Sequence, residues 1–97
     1  MFRTNVERRL RQLSDRLRRE REELAVVDEQ LAHLAGEADD ARLRALVSET
    51  PVSDHDASTA VRHAEAMRRR RGELAASIER LEAQQDDLLD RLTGTGT

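Results

Sequence analysis

The chain has 97 residues, of which 38% are charged and 37% hydrophobic, with a single aromatic side chain. This composition provides little material for a thick globular core and favours a thin helical protein. The absence of cysteine excludes disulfides, thiolate catalysis and thiolate metal sites. No apolar run approaches the roughly 18 residues of a membrane span and no signal-peptide core follows the N-terminus, so we expect a cytoplasmic protein without membrane contact.

Apolar residues in the first half recur with the 3.5-residue spacing of a coiled coil. Alternating steps of four and three residues from Val6 to Ala45 meet one polar residue, Glu20. The spacing continues in phase through Gly36, so it predicts one helix over about residues 4–46. The members of this first track are Val6, Leu10, Leu13, Leu17, Glu20, Leu24, Val27, Leu31, Leu34, Ala38, Ala41 and Ala45.

The only proline of the chain lies near its midpoint. Thr50 as N-cap and Pro51 at the first helical position suit the start of a helix, and Ser53 with Asp56 offers a second, slightly later cap. We therefore predict a turn over about residues 47–52 and a second helix over about residues 53–92. The Gly-Thr-Gly-Thr sequence that follows Thr93 predicts a flexible tail over residues 93–97.

The second half carries a matching track, which predicts that the two helices pair in antiparallel fashion. In the register that we favour, the numbers of paired residues add up to 98, as in Leu17 with Leu81. A register shifted by one heptad would pair Glu20 with Gln85 but lengthen the loop and leave Val6 and Leu10 unpaired, so it buries less apolar surface. The second track consists of Ser53, Ala57, Ala60, Ala64, Met67, Arg71, Leu74, Ile78, Leu81, Gln85, Leu88 and Leu92. The predicted fold class is all-α: a two-helix antiparallel coiled-coil hairpin that spans the chain.

Charges alternate in blocks along the chain: residues 1–21 carry a net charge of +5, residues 22–60 of −8, residues 61–72 of +4 and residues 73–97 of −4. Antiparallel pairing would place basic blocks beside acidic ones. This internal neutralisation argues against the arginine run 68–71 as a nucleic-acid patch, because a duplex binder needs uncompensated positive charge along one face.

The titratable residues do not form a recognisable catalytic or metal-binding motif. The three histidines are scattered, at positions 33, 55 and 63, and no glycine-rich phosphate loop is present. A two-helix rod has no enclosed pocket in which such groups could be desolvated. We therefore expect no enzymatic activity, no cofactor and no metal.

Three carboxylates, Glu49, Asp54 and Asp56, lie at the predicted tip of the hairpin. Such an acidic tip resembles the coiled-coil transcription factors of the Gre and DksA type, which carry acidic residues into the secondary channel of RNA polymerase. The resemblance covers the hairpin but not the globular domain of those families, and it implies that the three acids contact a partner. The alternative is that Asp54 and Asp56 only stabilise the N-terminus of helix 2.

A second resemblance lies along helix 2. Glu73, Ser77, Arg80 and Gln84 follow the spacing of the stripe with which certain actinobacterial anti-sigma factors, themselves coiled-coil hairpins, bind cyclic di-GMP. The final Asp of that pattern is replaced by Leu88, although the adjacent Asp87 continues the surface stripe. An arginine flanked by hydrogen-bonding groups is chemically suited to a nucleotide.

The sequence thus leaves three functional interpretations. The first is a non-catalytic transcription regulator that docks on RNA polymerase or a sigma factor through its acidic tip. The second is a cyclic-di-GMP-responsive anti-sigma factor. The third is a structural coiled-coil scaffold or adaptor, for which homodimerisation into a four-helix bundle would bury core layers that a lone hairpin leaves half exposed.

Overall fold

The computed structural model describes residues 2–94, which form two long helices. Helix α1 spans Phe2–Ser48 and helix α2 spans Pro51–Thr93, and no strand occurs between residues 2 and 94. The two helices pair as an antiparallel hairpin, so the predicted all-α fold class is confirmed. Of the predicted tail, Thr93 ends α2 and Gly94 lies in a turn, whereas residues 95–97 fall outside the described part of the chain.

The hairpin divides into two compact units, to each of which both helices contribute. We call the first the terminal unit; its described part comprises residues 2–24 and 73–94. The second, the turn unit, comprises Ala25–Gly72. α1 continues through Gly36 without interruption, as the unbroken phase of the first track predicts.

The terminal unit is held together by a leucine-rich core. Leu17, Ile78 and Leu81 form a buried cluster, against which Leu13 and Leu24 pack. Burial of each such side chain contributes about 1.5–3 kcal/mol where it is complete. Further buried members of this core are Val6, Leu74 and Leu88.

Polar contacts between the helices of the terminal unit fix the register. The side-chain amide of Gln85 donates a hydrogen bond to the Ser14 hydroxyl over 3.2 Å, so Gln85 does not lie opposite Glu20. Leu17 and Leu81 share the same core cluster. The predicted register is therefore confirmed over the alternative that is shifted by one heptad.

The turn unit has a core of smaller side chains. Its buried members are Val27, Ala38, Ala41, Ala57 and Ala64. Alanine has high helix propensity but buries little apolar area per residue. The stability of the turn unit therefore depends more on helix propensity, and less on apolar burial, than that of the terminal unit.

Ion pairs across each unit follow the predicted charge blocks. Arg21 pairs with Glu82 over 3.0 Å in the terminal unit, and Arg71 pairs with Asp28 in the turn unit. Arg71 occupies a core-track position, yet 44% of its side chain is exposed because the guanidinium reaches outward to Asp28. These exposed pairs specify the pairing of the helices more than they stabilise it, since each contributes only about 0.2–1 kcal/mol.

Candidate functional site

The turn between the helices consists of two residues, Glu49 and Thr50. Glu49 has φ 51°, a left-handed conformation that is uncommon for a residue with a side chain. Its N–H donates a 2.9 Å hydrogen bond to the carbonyl of Ala45, which satisfies one of the last carbonyls of α1. The chain therefore reverses direction within a short, hydrogen-bonded segment.

Thr50 caps the N-terminus of α2. Its hydroxyl accepts a hydrogen bond from the Ser53 N–H over 3.1 Å, while the Ser53 hydroxyl accepts one from the Thr50 N–H over 3.2 Å. This reciprocal pair has the geometry of a capping box. Pro51 follows at the first helical position, as its place after the Thr50 cap suggests, so α2 begins two residues before the predicted bound at residue 53. Ser53 therefore belongs to the first turn of α2 rather than serving as a later cap.

The three acids predicted at the tip, Glu49, Asp54 and Asp56, all lie at this turn and are exposed. Asp54 lies in the first turn of α2, where the helix dipole favours a negative charge. Within residues 2–94, no group of three or more acidic or histidine side chains is arranged to hold a metal ion. As the structure places them, the acids are surface charges.

Four large apolar side chains surround the same turn, and none of them belongs to the predicted site. Leu43, Leu46, Val47 and Val52 are exposed by 61%, 74%, 85% and 70%. Heptad spacing does not predict them, because all four lie outside the two tracks. The signal that could have found them is the spacing of Leu43, Leu46 and Val47, which is that of one helix face.

The stripe predicted on α2 lies in the terminal unit. Glu73, Arg80, Gln84 and Asp87 are exposed, whereas Ser77 is half-buried. Asp87 pairs with Arg91 one turn further along α2, over 3.2 Å. Leu88, which replaces the final Asp of the nucleotide-binding pattern, is buried in the core.

Ser77 faces Glu20, the one acidic residue of the first heptad track. The neighbouring Ser77 hydroxyl and the hydrogen bond from Arg16 lower the pKa of the Glu20 carboxyl, and the charges of Arg16 and Arg80 act in the same direction. Arg16 lies 2.8 Å from one carboxylate oxygen of Glu20. The other oxygen, Oε1, is buried and has no hydrogen-bond partner among the described residues.

Each of the two units has a shallow groove beside its helices. The groove in the terminal unit has a volume of about 220 Å³ and a polar, basic lining, formed by Arg9, Gln12, Leu13, Arg16 and Gln84. The groove in the turn unit has a volume of about 450 Å³ and a more apolar lining, formed by Glu29, Gln30, His33, Leu34 and Met67. Gln84 is the stripe residue that contributes to the basic groove.

No protein-family model, curated protein or solved structure matches the chain. The resemblances to the Gre and DksA type and to the cyclic-di-GMP-binding anti-sigma factors therefore stay predictions. Among residues 2–94, neither helix contains a stretch apolar and long enough to cross a bilayer.

Proposed function

We propose that the protein is a non-catalytic coiled-coil interaction module that docks on a larger protein through its turn end, residues 43–56. The observation that supports this proposal is the exposure of both large apolar side chains and carboxylates around a capped two-residue turn. Soluble monomers rarely leave a cluster of large apolar side chains exposed unless it is a binding surface. Carboxylates around such a cluster add specificity and speed association with a basic partner.

An enzymatic role receives no such support. The acids of the turn end are exposed, whereas catalytic carboxylates are normally held in an enclosed cleft that perturbs their protonation. Binding rather than chemistry is therefore the role that we assign to them.

The partner class that we propose is RNA polymerase or a sigma factor, in the cytoplasm, as the resemblance to acidic-tipped transcription factors implies. The test is binding of the full chain to purified RNA polymerase, with and without a sigma factor, measured by biolayer interferometry. We expect a Glu49→Gln, Asp54→Asn and Asp56→Asn triple variant to bind at least about 10-fold more weakly, since charge pairs at an interface commonly contribute more than 1.4 kcal/mol together.

A matched control is available on the same chain. Glu65→Gln, Glu79→Gln and Asp86→Asn remove the same charge from exposed positions away from the turn. If the two triple variants bind with equal affinity, the three acids of the turn are not part of the binding site. Absence of wild-type binding to the polymerase and to the sigma factor would refute the proposed partner class.

A second candidate function is a cyclic-di-GMP-responsive anti-sigma factor, and one observation favours it. Gln84 of the predicted stripe shares a groove with Arg9, Gln12 and Arg16, and the exposed Arg80 lies one turn before Gln84 on α2. Guanidinium and amide groups are the donors that recognise phosphates and guanine edges.

Isothermal titration calorimetry with cyclic di-GMP tests this candidate. We expect saturable binding that Arg80→Ala and Gln84→Ala each weaken at least about 10-fold, the loss of roughly one charge-assisted or bidentate contact. Arg69→Ala, an exposed arginine of the turn unit, is the control for loss of a positive charge. No heat of binding at millimolar ligand would exclude the nucleotide.

Homodimerisation into a four-helix bundle, as part of a scaffold or adaptor role, is a further proposal compatible with both candidates. It is supported by the incomplete burial of several core-track residues, which a second pair of helices would cover. These half-buried residues are Leu10, Leu13, Leu24, Leu31, Leu34, Met67 and Leu92. Sedimentation velocity over a range of concentrations distinguishes the monomer from the dimer.

A further inference from the structure

α1 carries a second apolar face in its last two turns, distinct from the face that forms the core. Ala38 and Ala41 are buried against α2. At about 100° per residue, Leu43, Leu46 and Val47 lie between about 140° and 240° around the helix from Ala41, on the side away from the core. We refer to these three residues as the outer stripe.

The spacing of the outer stripe is that of helix recognition. Positions i, i+3 and i+4 project side by side from one helix face, as in amphipathic helices that lie in an apolar groove of a partner. The three side chains are 61%, 74% and 85% exposed, so nothing within the described chain covers them. Val52, 70% exposed, lies just across the turn at the start of α2.

The charges around the outer stripe decide which occupant fits it. Residues 37–56 contain six acids and two arginines, a net charge of −4. One of the arginines, Arg42, pairs with Asp39 over 3.4 Å. A second copy of this chain would bring the same negative charge against its own, and like charges at an interface disfavour association.

We infer that the outer stripe of Leu43, Leu46 and Val47 lies in an apolar groove of a different protein, whose rim is lined with lysine or arginine. This inference rests on the proposed function and specifies the contact: α1 provides the apolar anchors, and Glu49, Asp54 and Asp56 face the basic rim. Burial of the leucine and valine side chains in the groove supplies affinity, while the acids at the rim increase the association rate and make it dependent on salt.

Photo-crosslinking of the full chain tests the inference. The probe is benzoylphenylalanine at position 46 or, as a control, at position 26, where Val26 is 53% exposed. Each variant is irradiated in a lysate of the source organism, and the crosslinked peptides are identified by mass spectrometry. We expect position 46 to crosslink into an apolar segment bordered by lysine or arginine in one partner, and position 26 to give no such product.

Binding of the isolated partner then provides the quantitative test. We expect the Leu46→Ser, Val47→Ser double variant to bind at least 10-fold more weakly than wild type, with an unchanged thermal unfolding midpoint because both side chains are exposed. Val26→Ser, Leu89→Ser is the control, since these side chains are also exposed, by 53% and 45%, but lie elsewhere. Increasing salt should weaken binding of the wild type more than that of the triple variant of the turn acids.

The outcomes separate the inference from the proposed function. If the stripe variant binds like wild type while the acid variant does not, the inference is wrong and docking through the turn end stands. If neither set of substitutions affects binding, both are wrong. Crosslinks from position 46 to a second copy of the chain would also overturn the inference, because they would identify a different occupant.

Discussion

Glu20 shows how one polar residue is accommodated in a heptad track. Its carboxylate lies beside Ser77 and Arg16, and 14% of the side chain is exposed. A neutral side chain would bury more favourably at this position, but it would lose the contacts to α2. Polar residues at core positions specify register in coiled coils at some cost in stability, and we expect Glu20 to act in this way.

The lowered pKa of Glu20 predicts a dependence of stability on pH. Because the folded pKa is below the ordinary value of about 4.5, the stabilising contribution is complete above that value and is lost as the pH falls through the folded pKa. We expect Glu20→Gln to reduce the free energy of unfolding by about 1 kcal/mol at pH 7 and by less at pH 3.

Urea unfolding followed by circular dichroism at both pH values measures this difference. Glu22→Gln, an exposed neighbour on α1, is the control for the loss of one negative charge. If the free energy of unfolding of Glu20→Gln differs from that of wild type by the same amount at pH 7 and at pH 3, the stabilising role of the Glu20 carboxylate is contradicted.

Glu49 carries a conformational cost that glycine would remove. At φ 51° the backbone of Glu49 is in the left-handed region, which disfavours residues other than glycine by roughly 1–2 kcal/mol. We therefore expect Glu49→Gly to increase the free energy of unfolding by about 1 kcal/mol. The matched control, Arg44→Gly within α1, should lower it by about 1 kcal/mol. Equal effects of the two glycines in denaturant titrations would show that Glu49 is unstrained.

If Glu49 takes part in partner binding as proposed, the same substitution should separate stability from function. Glu49→Gly would then give a more stable protein with weaker binding. Such opposed effects are common at functional sites, where a residue is retained for its contacts rather than for its fit to the backbone.

At the scale of the helices, the capping box formed by Thr50 and Ser53 determines where α2 begins. Thr50→Ala removes the acceptor for the Ser53 N–H, and we expect a loss of about 1 kcal/mol in the free energy of unfolding. Ser58→Ala, at an exposed position inside α2, should leave stability unchanged or raise it slightly, since alanine has the higher helix propensity. Thermal unfolding of both variants measures the difference. A similar midpoint for the two would argue against the cap.

The sequence predicts most of the helical architecture because the heptad spacing reports directly which face is buried. The eleven hydrophobic residues that are buried within the described range 2–94 all belong to the two tracks: Val6, Leu17, Val27, Ala38, Ala41, Ala57, Ala64, Leu74, Ile78, Leu81 and Leu88. The first and last residues of each helix are predicted less accurately. α1 starts at Phe2 and ends at Ser48, beyond the predicted range at both ends, because the terminal turns need caps and propensity but no core residue.

Heptad spacing predicts less of the candidate site than of the fold. The acids at positions 49, 54 and 56 could be placed at the tip because Pro51 marks the turn. The spacing of Leu43, Leu46 and Val47 indicates an apolar helix face, but spacing alone does not show whether such a face is exposed or covered by another part of the chain. Their exposure became evident only once the path of both helices was known.

At the scale of the whole molecule, the register can be tested by disulfide trapping, and the chain provides a clean background because it lacks cysteine. The Gln85 amide reaches the Ser14 hydroxyl, which places these positions at the same level of the two helices, so we expect a Ser14→Cys, Gln85→Cys variant to oxidise to an intramolecular disulfide more readily than a pair two turns apart. Glu20→Cys, Gln85→Cys, which corresponds to the shifted register, should stay reduced under the same conditions. The reverse result on non-reducing gels would establish the shifted register.

The two-residue turn also constrains how this protein can change length during evolution. Because Glu49 and Thr50 alone connect the helices, adding one residue to either arm would turn every following seam position by about 100° away from its partner. Insertion of a full heptad in both helices at once, about 14 residues in total, keeps the seams aligned, whereas insertions of three or four residues alter the local supercoil. We therefore expect natural relatives with the same turn to differ in arm length by whole paired heptads, and insertions of other sizes to be confined to the chain ends.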